Sequence, residues 1–167
     1  SGIGLATCEL FVAEGARVVI ADLNTDAGEK LEARLGRDAL FLRTDVSDRA
    51  EIAAVIALAT ERFGGLDVMF NNAGISCAAF PDFLDDTLED FDKVLRVNLL
   101  GPMLGTRDAA RAMKARGGGV ILNNASIAGT VAGLGMMTYR ASKAALIHFT
   151  KSAAIDLAQY GIRVNCL

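Results

Sequence analysis

The sequence predicts an α/β fold, a doubly wound parallel sheet with helices on both faces, and three observations carry that expectation. Short β-branched runs alternate with stretches of helical period from end to end. The runs are continuously apolar rather than alternating, the pattern of strands covered on both faces. A glycine turn, Ser1-Gly2-Ile3-Gly4, opens the first helix.

Gly2 to Glu14 reads as that helix, with Ile3, Thr7, Leu10 and Phe11 on its apolar face and Gly15 as its stop. Arg17 to Ala21 is a strand and Thr25 to Leu35 a helix ended by Gly36. Ala39 to Thr44 is a strand. Ser47 to Phe63 is a helix, capped by Ser47 or Asp48 and closed by Gly64-Gly65. Leu66 to Asn71 is a strand. Thr87 starts a long helical stretch, with Asp90 as a capping-box partner and Pro102 as a kink, that runs to Gly117–Gly119. Val120 to Asn123 is a strand, Met137 to Tyr160 a helix and Ile162 to Cys166 a final strand. Such alternation calls for right-handed crossovers between parallel strands.

A length of 167 residues suits one domain, spanning 1–167. With 52% hydrophobic and 22% charged residues the chain has material for a core and does not read as disordered. A net charge of −3 offers no basic field for nucleic acid. No apolar run is long enough for a membrane span. Cys8, Cys77 and Cys166 fit neither a disulfide framework nor a metal pattern, so a cytoplasmic protein with reduced thiols is expected and no metal. The chain opens inside the glycine turn, without an initiator Met or a preceding strand, and is read as an internal piece of a longer protein.

The chemistry-bearing residues cluster at predicted strand ends. Glycines at a helix start let backbone N–H groups approach a phosphate, so Gly2, Ile3 and Gly4, with Ser1, are candidate dinucleotide contacts. Asp22 follows the next strand about 20 residues on, where a carboxylate takes the adenosine ribose hydroxyls. A 2′-phosphate beside Asp22 would meet like charge. The positions that would hold a compensating cation carry Ser1 and Leu23. NAD is therefore favoured over NADP. Asn72-Ala73-Gly74, at a strand exit, leaves room for a planar ligand and its sugar; a plain turn is the other reading.

Tyr139 and Lys143 are four apart on one helix face. A tyrosine is too weak an acid to act as a base near neutrality unless cations stabilise its phenolate. A shift of about 3 units needs roughly 4 kcal/mol. Ser126, just past a strand, could bond a substrate oxygen or be an ordinary turn serine. Asn98 is a polar residue among Val97, Leu99 and Leu100, and it either holds a water on a proton path to Lys143 or marks a kink. His148, the single histidine, lies about 180° from Tyr139 around the helix and is assigned to packing or subunit contact.

Taken in order and at their separations, Gly2-Ile3-Gly4, Asp22, Asp45-Val46, Asn72-Ala73-Gly74, Asn98, Ser126 and Tyr139-Arg-Ala-Ser-Lys143 resemble the short-chain dehydrogenase/reductase family in its compact form. The resemblance covers the whole chain. It implies a Rossmann-like fold with NAD(P) across the strand ends and a catalytic set of Asn98, Ser126, Tyr139 and Lys143. It also implies that Asp45 and Val46 contact adenine, that Asn72 and Gly74 lie beside the adenosine ribose, and that Lys143 bonds the nicotinamide ribose. The helices around Leu104–Arg116 and Met137–Tyr160 would form a homodimer or homotetramer interface. The family's full glycine turn and first strand, and its substrate lid, have no counterpart here. The isolated 167-residue chain is accordingly expected to fold poorly and bind NADH weakly. The apolar segments Ile75–Phe83 and Ile127–Met137 suggest a hydrophobic alcohol or ketone substrate. The rival functions are an NADPH-dependent 3-oxoacyl-thioester reductase and a non-catalytic nucleotide-binding protein on the same fold. Sugar-nucleotide epimerases rank lower, because their glycine turn has wider spacing.

Overall fold

Parallel strands with helices between them build the molecule, as the alternation predicts. The structure, a computed structural model, describes residues 2–167. Ser1, expected to touch a cofactor, lies outside the described residues.

The elements run α1 (Gly2–Ala13), β1 (Val18–Asp22), α2 (Thr25–Leu35), β2 (Ala39–Arg43), α3 (Arg49–Phe63) and β3 (Val68–Asn71). Then come α4 (Phe91–Leu95), continuing through a π turn at Arg96–Leu100 into α5 (Gly101–Lys114), and β4 (Gly119–Asn123), α6 (Met137–Leu157) and β5 (Ile162–Cys166). β1 pairs with β2, and β3-β4-β5 form a second sheet, every pairing parallel. The two sheets share no ladder among the described residues. Helices bridge them instead: Arg17 Nη2 on the β1 side donates to the Phe63 carbonyl that ends α3, at 2.8 Å.

The core is uneven. Around the three-stranded sheet, Ile52 and Ile56 of α3, Leu104, Ala109 and Met113 of α5, Ile121 of β4, and Ile162 and Val164 of β5 form one buried cluster. The β1–β2 side buries only Ile20, Leu31 and Ala39 together. Buried amides reinforce the larger cluster. Asn71 donates to Asn123 Oδ1 at 2.8 Å, and Asn123 Nδ2 donates to Thr150 Oγ1 at 2.9 Å, so β3, β4 and α6 are joined through side chains. No buried side-chain N or O lacks a partner among the described residues.

Three local expectations are corrected. The long helix starts at Phe91, not Thr87. Leu88 takes a left-handed φ of 56°, and Asp86 ties a turn by accepting from Leu88 N, so no helix propagates there. Asp90 does not close a capping box on Thr87; its Oδ2 accepts from Ala78 N at 2.8 Å. The distortion ahead of Pro102 is a π turn in which Gly101 N donates to Arg96 O. Pro102 has no N–H to give the Asn98 carbonyl, which fits a break one turn earlier. Finally, α1 does not bury the face of Ile3 and Leu10, which are 61% and 59% exposed. Leu5 and Cys8 pack on the β1–β2 cluster instead. A helix apolar on every side gives periodicity nothing to select.

Candidate active site

β1, β3 and β4 all end in short polar segments, and their carboxyl ends are where an open parallel sheet takes ligands. The N-terminus of α1 lies at the same end. A methyl on Gly4 would come within 2.6 Å of Asn72 Nδ2, so a larger residue there would displace that amide where α1 meets the β3 exit. Asn72 Oδ1 in turn accepts from Asn124 Nδ2 beyond β4, at 2.9 Å.

Asp22 closes β1 with an exposed side chain whose Oδ1 accepts from Asn24 N at 2.9 Å. Leu23 beside it is 56% exposed. Asp45, just past β2, accepts from both Ser47 N and Ser47 Oγ at 2.8 Å. Those two bonds hold its carboxyl below the usual range. Val46 packs against Gly101 at the π turn, where a methyl would meet the Val46 carbonyl at 3.0 Å.

Lys143 is the convergence point. It is 4% exposed, and its Nζ donates to the Asn124 carbonyl at 2.7 Å. The same Nζ lies 5.7 Å from the centre of the Tyr139 ring. Burial pulls its ammonium below the ordinary lysine value. A Cβ built on Gly74 would stand 3.3 Å from Lys143 Nζ and 3.4 Å from Asn98 Oδ1. Gly74, Asn98 and Lys143 thus meet at one spot.

Asn98 is fully buried within the π turn. Its Oδ1 accepts from Ile75 N at 2.8 Å, and its Nδ2 donates to Ile75 O at 2.9 Å and to Ser142 Oγ at 3.1 Å. The side chain therefore clamps the segment after β3 and ties it to α6. Of the two readings of Asn98, the kink is present, as the π turn. Ser126 caps a single turn at Ile127–Gly129, its Oγ accepting from Ala128 N at 3.1 Å. That bond uses an oxygen lone pair and leaves the hydroxyl hydrogen free.

The structure thus brings Asn72, Gly74, Asn98, Tyr139 and Lys143 together, with Gly4 against Asn72 and Ser126 two residues beyond Asn124. Asp22 and Asp45 stand at the ends of β1 and β2. His148 is exposed on α6. Sequence reasoning passed over Asn124 and Ser142. Their contacts run through a backbone carbonyl and a helical hydroxyl, which no spacing rule marks; the paired amides Asn123-Asn124 after a strand were the available signal. Among the described residues no cluster of His, Cys, Asp and Glu could hold a metal ion, and no helix is long and apolar enough to cross a membrane.

The family model for short chain dehydrogenase matches residues 1–167. Momilactone A synthase of Oryza sativa subsp. japonica is 48% identical over 168 residues, covering 100% of this chain and 61% of that protein. Sex determination protein tasselseed-2 of Zea mays is 46% identical over 99% of this chain and 51% of its own length. The chain therefore spans between half and two thirds of these two relatives. Among solved structures, NAD+-bound xylitol dehydrogenase superposes with a TM-score of 0.94 at 36% identity, over 99% of this chain and 65% of that one. A short chain dehydrogenase from Mycobacterium smegmatis gives 0.92 at 35% identity, over 99% and 70%.

Proposed function

This chain belongs to the short-chain dehydrogenase family, and on that footing we propose that it carries the catalytic core of an NAD-dependent oxidoreductase interconverting a secondary alcohol and a ketone. The observation that carries this reading is the placement of Lys143 Nζ 5.7 Å from the Tyr139 ring centre, held there by the carbonyl of Asn124 at the exit of β4.

The site has the character a nicotinamide dinucleotide needs. Gly4 lets a helix N-terminus close on the β3 exit. Gly2, Ile3 and Gly4 would receive the pyrophosphate, Asp22 the adenosine ribose, and Asp45 and Val46 the adenine. Asn72, Ala73 and Gly74 would line the adenosine side, and Lys143 would bond the nicotinamide ribose. An exposed Asp22 with Leu23 beside it disfavours a 2′-phosphate and so favours NAD over NADP. When bound, the dinucleotide supplies the hydride acceptor for oxidation or the donor for reduction.

The chain's own residues handle the proton. Tyr139 Oη takes the hydroxyl proton of the alcohol as the C–H bond breaks, or returns it to the ketone oxygen in reverse. Lys143 stabilises the phenolate form with its charge. Ser126 donates its free hydroxyl hydrogen to the substrate oxygen and polarises the C–O bond. Asn98 fixes Ile75 and, through Ser142, the helix that carries Tyr139. The exposed Leu84, Ile127, Val131 and Leu134 support an apolar substrate. One surface each of α5 and α6 would join copies into a homodimer or homotetramer.

A panel of apolar secondary alcohols, offered with NAD+ and with NADP+ to the protein that carries this chain, tests the reading. We expect turnover with NAD+, and a loss of about 10²–10⁴-fold in kcat for Tyr139→Phe with NADH affinity retained. Undiminished turnover by Tyr139→Phe would remove the assignment.

A further inference from the structure

The segment from Thr130 to Met136 joins Ser126 to Tyr139 and has no regular structure of its own. It is short of side chains that could hold it: its sequence is Thr-Val-Ala-Gly-Leu-Gly-Met. One side chain from outside does so. The Arg140 guanidinium donates from Nε to the Gly135 carbonyl at 3.0 Å, from Nη1 to Val131 O at 3.2 Å and from Nη2 to Leu134 O at 3.3 Å. Among the described residues no carboxylate pairs with Arg140. All three donor nitrogens are therefore committed to loop carbonyls.

The loop so held is strained at one end and apolar along its length. Met136 takes a left-handed φ of 50°, uncommon for a side chain of its size. Its Sδ receives the Ser76 hydroxyl at 3.5 Å, and a Cβ on Gly135 would lie 3.6 Å from the Phe80 carbonyl, so the loop rests on the segment that follows β3. Val131 and Leu134 remain 56% and 88% exposed beside it.

We propose that Arg140 is a positioning residue for substrate: its fork of three bonds holds residues 131–135 in the conformation that offers Val131 and Leu134 as an apolar wall for the alcohol. The inference rests on the hydrophobic alcohol reading above and adds the element that shapes its binding surface. The planar guanidinium suits this task because its N–H groups diverge in a fixed plane. A lysine head group is compact and cannot reach three separate carbonyls in the same way.

The test compares Arg140→Ala, Arg140→Met and Arg140→Lys in the protein that carries this chain, using the best-oxidised apolar secondary alcohol of the panel. KM for that alcohol is expected to rise about tenfold in all three, with kcat within about threefold of the parent. NADH affinity should stay unchanged. Hydrogen exchange in a peptide spanning 131–135 should quicken, and exchange along 143–157 should not. The proposal is overturned if KM stays within about twofold, if Arg140→Lys restores it, or if 131–135 exchanges as before. It is overturned equally if kcat and NADH affinity fall together, since that marks a loosened α6. The catalytic reading is judged separately by Tyr139→Phe, and the exchange result judges the arginine clamp even if no alcohol on the panel is oxidised.

Discussion

Lys143 gives the residue scale its sharpest test, because its burial and its charge pull in opposite directions. Only 4% of it meets solvent, and burial lowers its folded-state pKa below the ordinary 10.5. Between the lowered value and 10.5 the unfolded chain binds the extra proton, so stability rises with pH across that window. Below it the burial cost is present in full. Lys143→Met removes that cost, and the variant's advantage over the parent should be largest near neutrality and shrink as pH approaches 10.5. Denaturant melts at stepped pH measure this; an advantage that grows with pH would contradict it. Tyr139 and Lys143 were legible as a pair in their spacing of four, and Asn98 as a polar residue among apolar neighbours. The anchor of the amine was not, because a main-chain carbonyl such as that of Asn124 leaves no mark on residue type.

Among the elements, α5 carries a long row of buried residues, and Gly105 is where it comes closest to β3. A methyl there would overlap Asn71 Oδ1 and stand 2.8 Å from Met69 Cε. Asn71 is the amide that holds Asn123 and also reaches Thr106 Oγ1 at 3.3 Å. Gly105→Ala should therefore cost about 1–3 kcal/mol through overpacking, despite alanine's better helix propensity. A chemical-denaturation midpoint equal to or above the parent's would refute this. Helix and strand identities were legible because period and apolar runs agree locally. α2 and β5 have the bounds expected of them. The start of α4 was not legible, since Asp86 and a left-handed Leu88 compete with a capping box that looks sound on paper. A break near Pro102 was legible, but its π form was not, since Asn98 there bonds Ile75 and Ser142, contacts distant in sequence.

For the whole molecule, the division into two sheets predicts unequal local stability. The β1–β2 side has three buried hydrophobic residues in its cluster, whereas the β3-β4-β5 side has ten, plus the amide chain from Asn71 to Thr150. Opening free energies follow such differences in burial. In the 167-residue chain, amides of Val18–Arg43 should exchange at least about tenfold faster than those of Gly119–Cys166. Uniform protection across both, read by mass spectrometry, would show that the bridge from Arg17 to Phe63 and the packing of α1 and α3 couple the halves fully. Among the described residues β1, β2, β3 and β5 each leave one edge unpaired, a reason to expect concentration-dependent association of this chain.

No carboxylate is paired with the Lys143 amine among the described residues, and its hydrogen bond goes to a neutral peptide oxygen. The charge of that amine is therefore met only by a peptide dipole, and no side-chain anion in contact with it offsets its burial. An anion placed beside Nζ would raise the lysine pKa back toward its ordinary value, which is the sense in which a deprotonated phenol would steady it. Choice of buffer anion and ionic strength thus becomes an experimental variable at this site.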